Sequence, residues 1–291
     1  MKRLLSLYLV LFLFACAPKT EPESNENTAP PAPRVHLEQA WASDTLLRTP
    51  EAVLYNPAET LLYVANVNEN PWEMDGNGFI STMNLEGKIQ ELKWVDGLNG
   101  PKGMGILNGK LYVADINAVV EIDIAEATIV NRYELEGKPT LNDITVHDGK
   151  LFVSGSDSNK IFELKDVKLS VIHEGDLGRP NGLFAEADRL LMLTSNSSEL
   201  VSINPQTMES KVLVDSLGHG DGIVPVGNGD YLASSWKGEV FYITSDWDRI
   251  QLLDTRAEKI NAADIEFVIN EKLLLVPTFF DNRVVAYHLR N

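Results

Sequence analysis

The chain has few of the groups that staple or anchor a protein. Its 291 residues include one cysteine, Cys16, so no disulfide can form within it and stability has to come from a buried core. Basic residues are scarce. Lys and Arg number 25 against 42 Asp and Glu, for a formal charge of −17. Such a chain would repel the phosphates of a nucleic acid, so none is expected as a partner. Most of these carboxylates read as solvated surface, which suits a protein that stays soluble or meets divalent cations. The apolar run at 4–15 has 12 residues, too few to span a bilayer. Between residues 35 and 291 no stretch reads as a helix.

What is present begins at the N-terminus. Lys2 and Arg3 precede the apolar run, which has the length of an export-signal core. It ends in Leu13-Phe14-Ala15-Cys16, which resembles the bacterial lipoprotein box. The resemblance implies that residues 1–15 are a signal peptide and that Cys16 becomes the lipidated mature N-terminus. The alternative is an ordinary secretory peptide cleaved nearby, with Cys16 incidental. Residues 17–34, "APKTEPESNENTAPPAPR", hold no aromatic residue and cannot bury apolar surface. Residues 16–34 therefore read as lipidated cysteine plus disordered tether. Ala17 stands where an Asp would resemble an inner-membrane retention signal. The expectation is a lipoprotein anchored in the cell envelope through Cys16, with the periplasmic side of the outer membrane favoured.

Residues 35–291 are enough for one sizeable core. Short strand-like runs recur through them: "LLYVAN" at 61, "LYVADI" at 111, "LFVSGS" at 151, "LLMLTS" at 190, "YLASSW" at 231 and "LLLVPT" at 273. Each follows a turn such as "NGK", "DGK" or "NGD". About ten residues upstream of each lies a pattern of polar, small and apolar residues, at 51, 102, 142, 181, 221 and 263, with gaps of 51, 40, 39, 40 and 42. A more alternating strand follows each central run. Four short strands per unit, repeated near forty residues, predict an all-β, six-bladed β-propeller rather than a β-sandwich. The last unit, ending in "RVVAYHL", lacks an outer strand. The leftover segment at 35–47 can supply it, so an N-terminal strand is expected to close the last blade and remove two open sheet edges. A monomer is expected.

In a propeller the innermost strands all begin on one face of the central channel. Residues 51, 102, 142, 181, 221 and 263 should therefore form a circle: Glu51, Lys102, Asn142, Asn181, Asp221 and Ala263. Four of the six offer oxygen, two as carboxylates and two as amides. This set suits a hard divalent cation, Ca²⁺ first. Without His or Cys in the circle zinc is less favoured, though Zn²⁺ or Mn²⁺ stays open. The competing view is that these residues cap strands and order water. Gly182 and Gly222 mark a close backbone approach or a positive φ.

"PEAVLY" with Glu51, "LND" with Asn142, "PNGL" with Asn181 and "DGI" with Asp221 occur in order, one per unit. Over about residues 45–289 the chain thereby resembles the SMP-30/gluconolactonase/luciferin-regenerating-enzyme-like propellers. The resemblance implies that Glu51, Asn181 and Asp221 bind a divalent cation, that Asn142 contacts metal or substrate, and that Asp221 acts as general base or nucleophile in lactone hydrolysis.

Other residues surround this set. Asp143 is a candidate for substrate contact, for support of the ligands or as a spare base. Lys102 either binds an anionic substrate group or pairs with a neighbouring carboxylate. Asp264 either faces the channel or caps its strand. His219 is the histidine nearest the circle, while His147 and His173 stand alone. The first unit is longer by about 11 residues, which fall in 66–78 between its second and third strands. That insertion should overhang the site, with Trp72 or Met74 as lid residues. Trp236 and Phe279-Phe280 occupy equivalent connections; Trp236 is a candidate substrate contact, and Phe279 and Phe280 are expected to pack between blades. "DGNG" at 75–78 reads as a turn. Two functions remain. One is an exported, membrane-tethered, metal-dependent hydrolase acting on a lactone, ester or sugar-like small molecule. The other is a non-catalytic propeller that binds a ligand or protein, with the cation structural.

Overall fold

A computed structural model describes residues 35–291. The expectations for the signal peptide (1–15), lipidated Cys16 and the tether (16–34) lie outside the described residues. Within them, no helix is long and apolar enough to cross a membrane.

The first strand, β1 (His36–Ala42), leads into five four-stranded antiparallel sheets in sequence order. Blade 1 holds β2 (Pro50–Asn56), β3 (Leu61–Asn66), β4 (Gly78–Met83) and β5 (Ile89–Leu98). Blade 2 holds β6 (Pro101–Leu107), β7 (Lys110–Asp115), β8 (Ala118–Asp123) and β9 (Thr128–Glu134). Blade 3 has β10 (Leu141–His147), β11 (Lys150–Gly155), β12 (Lys160–Lys165) and β13 (Lys168–Glu174). Blade 4 has β14 (Pro180–Ala185), β15 (Leu190–Thr194), β16 (Leu200–Ile203) and β17 (Ser210–Val214). Blade 5 has β18 (Gly220–Gly227), β19 (Asp230–Ser235), β20 (Glu239–Ile243) and β21 (Arg249–Asp254). Blade 6 is built from β22 (Glu266–Val268), β23 (Leu273–Pro277), β24 (Val284–Arg290) and, on its outer edge, β1. The fold is the expected six-bladed β-propeller.

Tight turns set the hairpins. Asn108-Gly109 and Asp148-Gly149 take positive φ at both residues, the geometry that matches strand twist in two-residue loops. Closure is antiparallel, with Leu37 opposite Leu289 and Trp41 opposite Ala286. The core lies between blades as well as within them. Val53, Leu62, Val64 and Met83 of blade 1 pack with Val268, Leu273, Leu275 and Val284 of blade 6, and Leu47 joins them. At the channel, the Asp264 N–H donates to the Glu51 carbonyl oxygen (2.9 Å), beside a parallel bridge between Ala52 and Asp264. The last inner strand thus meets the first.

Candidate active site

Five inner strands share an irregular start. Pairing with the neighbouring strand shifts register between Pro50 and Ala52, Pro101 and Met104, Leu141 and Ile144, Pro180 and Leu183, and Gly220 and Ile223. A bulge suspends the strict alternation of a strand and re-aims its side chains. Asn142 and Asp143, successive in sequence, accordingly line two different cavities, one at each end of the channel. The backbone amides freed by the bulges still need acceptors. Asp143 N–H donates to Ser154 Oγ (2.9 Å) and Gly222 N–H to Ser234 Oγ (2.8 Å), both from the second strand of the blade.

Small residues let the inner strands converge. A Cβ on Gly182 would lie 2.0 Å from the Asp221 carbonyl oxygen, and one on Gly222 would lie 2.3 Å from Asp264 Oδ1. Neither glycine has a positive φ; close approach is what requires them. Gly103 leaves room in the same way for Asp143, whose Oδ1 would be 2.1 Å from an added Cβ.

A cavity of about 260 Å³ opens at the end where the inner strands begin. Glu51, Lys102, Asn142, Asn181 and Asp221 all line it, so five positions of the expected circle come together. The sixth, Ala263, is buried with Val67 and Phe279. Glu51 is 5% exposed and Asp221 2%. Glu51 Oε2 and Asp221 Oδ2 are buried without a hydrogen-bond partner. The two amides are oriented by their NH₂ groups: Asn142 Nδ2 donates to Ser156 Oγ (3.1 Å) and Asn181 Nδ2 to the Gly220 carbonyl oxygen (3.2 Å). Their oxygens are thereby spared for another partner.

Burial without pairing dominates the electrostatics. The Glu51 carboxyl is pushed well above its usual range by desolvation, which Lys102 opposes and the negative charges of Asp221 and Asp143 reinforce. Asp221 is raised to about 7 by desolvation, then by Asp143, against the lowering effects of the Asn181 amide, Lys102 and Arg179. Lys102 and Arg179 act on the two carboxylates only through space, and the orphaned Glu51 Oε2 and Asp221 Oδ2 have no direct partner, a need that a divalent cation fits. Among the described residues no three His, Cys, Asp or Glu side chains gather as a metal cluster. The oxygens offered at this cavity are those of two carboxylates and two amides.

The other candidates are distributed unevenly. Lys102, only 1% exposed, donates from Nζ to the carbonyl oxygens of Pro71 (3.0 Å) and Gly100 (3.2 Å), and lies 4.4 Å from the Trp72 ring centroid. Desolvation lowers its pKa. The insertion does overhang the site through Pro71 and Trp72, while Met74 is exposed and does not line the cavity. Trp236 lines it, edge-on to Phe279 (5.5 Å) and Phe280 (6.1 Å). Phe279 is buried as expected, but Phe280 is 62% exposed and forms the rim. Asp143 is absent from this cavity. Its oxygens accept from Ile144 N–H and Leu183 N–H, both 2.6 Å, and it lines a cavity of about 600 Å³ at the opposite mouth with Asp264 and Glu266. Asp264 thus faces the channel, from the far side. His219 lines the site cavity; His147 and His173 line a separate one between blades 3 and 4.

Arg179 also lines the site and was not singled out from the sequence. It lies two residues before Asn181, as His219 lies two before Asp221.

No family model and no curated protein matches the chain. Solved structures do. A gluconolactonase from Xanthomonas campestris superposes with a TM-score of 0.67 at 16% identity, covering 84% of this chain and 88% of that one. A virginiamycin B lyase from Staphylococcus aureus gives 0.65 at 14%, covering 88% and 100%. A chain of a nidogen/laminin complex gives 0.62 at 14%, covering 75% and 84%. What is shared is the fold.

Proposed function

We propose that this chain is a divalent-metal-dependent hydrolase of a lactone or similar ester, of the SMP-30/gluconolactonase type. The observation that carries the reading is the pair of buried, unpartnered carboxylate oxygens, Glu51 Oε2 and Asp221 Oδ2, at the base of one cavity with Asn142 and Asn181. Glu51, Asn142, Asn181 and Asp221 would hold the ion. When bound, a divalent cation, Ca²⁺ first with Zn²⁺ or Mn²⁺ as alternatives, polarises a carbonyl and offsets charge developing on its oxygen. Asp221 would accept the proton of the attacking water as general base. Trp72, Trp236 and Phe280 wall the cavity and keep bulk water from the reacting ester. The gluconolactonase among the similar structures agrees with this chemistry, and the lyase shows that the fold also serves other enzymes.

A second reading keeps the ion and drops the chemistry. The four oxygen donors come from blades 1, 3, 4 and 5, so an ion among them would pin four blades of a ligand- or protein-binding propeller, and the nidogen/laminin neighbour is such a fold in a protein complex. Metal analysis of the purified chain, with a lactone panel assayed with and without chelator, separates the two. Turnover abolished by chelator supports the hydrolase. A bound ion with no turnover of any lactone leaves the second reading. The proposal also anchors the domain to the envelope through Cys16, and Cys16→Ser should abolish incorporation of labelled palmitate.

A further inference from the structure

Resting on the hydrolase reading, we propose that the substrate of this cavity carries a carboxylate beside its lactone or ester ring, and that Arg179 receives it. Arg179 is built to present a guanidinium edge. Its Nε donates to Asp157 Oδ1 (2.8 Å) and its Nη1 to Ser195 Oγ (3.0 Å). Its backbone N–H donates to Asn159 Oδ1 (2.9 Å), and its carbonyl oxygen accepts from Ser195 N–H (3.0 Å). These bonds hold a non-glycine residue at φ 64°, immediately before Pro180. The same backbone conformation precedes the inner strands of blades 1 and 3, at Thr49 (φ 50°) and Thr140 (φ 50°), so it belongs to the blade design and the hydrogen bonds are what fix the side chain. The side chain is therefore ordered before any ligand arrives, which lowers the entropy lost on binding.

One edge of the fork stays available. Among the described residues Nη2 has no hydrogen-bond partner, and the side chain lines the cavity one tier above Asn181 and Asp221. Lys102, the buried cation of the site, has already committed Nζ to two carbonyl oxygens and the Trp72 ring. Arg179 is ion-paired with Asp157 through Nε, yet the far edge of its guanidinium still faces the cavity, and a planar carboxylate matches that geometry. Because Arg179 is already ion-paired with Asp157 (2.8 Å), the charge it has left suits a singly charged carboxylate better than a doubly charged phosphate. Trp72, Trp236 and Phe280 on the remaining walls accept the apolar faces of a ring. The cavity, about 260 Å³, is below the roughly 300–1,000 Å³ of sites for drug-sized ligands, so the ligand is compact.

The test uses the full chain with calcium present and two probes that cannot be hydrolysed, 3-oxocyclopentane-1-carboxylate and its carboxamide. Calorimetry should show the carboxylate bound at least ten-fold more tightly than the carboxamide, with the preference falling to near unity in Arg179→Met. Arg179→Lys keeps the charge but cannot reach Asp157, Ser195 and a ligand together, so its preference should fall several-fold; this variant stands in if Arg179→Met does not fold. Equal binding of the probes, binding of neither, or an unchanged preference in a folded variant overturns the inference. So does inorganic phosphate competing more strongly than the carboxylate. Turnover of neutral lactones without carboxylate preference would sink this inference alone. A carboxylate preference without turnover of any lactone would sink the hydrolase reading alone.

Discussion

The backbone N–H of Asp264, just before the last blade's innermost strand, donates to the carbonyl oxygen of Glu51 in the first blade. The bond carries ring closure to the candidate ligand itself. Glu51 is thus positioned by the end of the chain as well as by its own strand. The two residues serve opposite ends of the channel: Glu51 lines the smaller cavity and Asp264 the larger.

Calcium should stabilise the protein through Glu51 and Asp221. A ligand that binds only the folded state at one hundred times its Kd contributes about 2.7 kcal/mol, which for a domain of this size is roughly 5–10 °C in Tm. Glu51→Gln should remove most of that rise. In chelator the same variant should melt no lower than wild type, because an unpartnered buried carboxylate has become neutral. Calorimetric scans of both proteins with calcium and with chelator check this.

Without metal, stability should fall as pH rises from about 4 to about 7. Asp221 and Asp143 are each raised to about 7 in the folded chain, chiefly by desolvation, whereas unfolded aspartate titrates near 3.9. Between those values the folded state holds protons that the unfolded state has released. The stabilisation is therefore full below the unfolded pKa and lost as pH climbs through the folded one, by about 1.4 kcal/mol per unit for each proton retained. Asp254, held at about 2 by Arg256, acts below this window and with the opposite sign. Saturating calcium should flatten the slope, because the ion favours the ionised carboxylates. Urea titrations at pH 4.5, 6 and 7.5 measure it, and a chelated protein that is more stable at 7.5 than at 4.5 would contradict it.

Asp221→Asn should lower turnover of a hydrolysed lactone by about 10²–10⁴, the usual scale for loss of a general base. Size is conserved, so circular dichroism should be unchanged. Wild-type rates in the variant would remove Asp221 from the chemistry.

Gly182→Ala should damage both fold and site. The new methyl would meet the Asp221 carbonyl oxygen at 2.0 Å, a backbone atom that no rotamer can move aside. A loss of about 1–3 kcal/mol or more is expected, together with a weakened calcium response. Gly109→Ala offers the contrast. Its φ is 74° with open space around it, so it should cost about 1 kcal/mol and leave calcium binding intact. Urea denaturation of the two variants compares them.

Most of the architecture could be read from short-range pattern. The Asn-Gly and Asp-Gly turns, the apolar runs and their phase near forty residues each reflect local sterics or strand alternation, and both act within a few residues. Closure by β1 followed from counting strands. The circle of Glu51, Lys102, Asn142, Asn181 and Asp221 was legible because a propeller turns a fixed phase into a common axis. Arg179 escaped because a polar residue before a proline has many uses, and nothing local ties it to a channel. The reach of Asp143 escaped for another reason: alternation places successive residues on opposite faces of a strand, whereas the bulge at Leu141–Ile144 sends Asn142 and Asp143 to opposite ends of one channel.

By itself the order of residues determined the number of blades, the strand that closes the ring and the oxygen donors that meet at its axis, since each depends on periodicity carried along the chain. Tertiary structure alone decided which charges remain uncompensated. Lys102 turned to the Pro71 and Gly100 carbonyls, leaving Glu51 and Asp221 with bare oxygens and Arg179 with a free edge. That outcome rests on distances between groups 2 to 31 residues apart in the chain, and Coulomb and hydrogen-bond energies depend on those distances rather than on sequence separation.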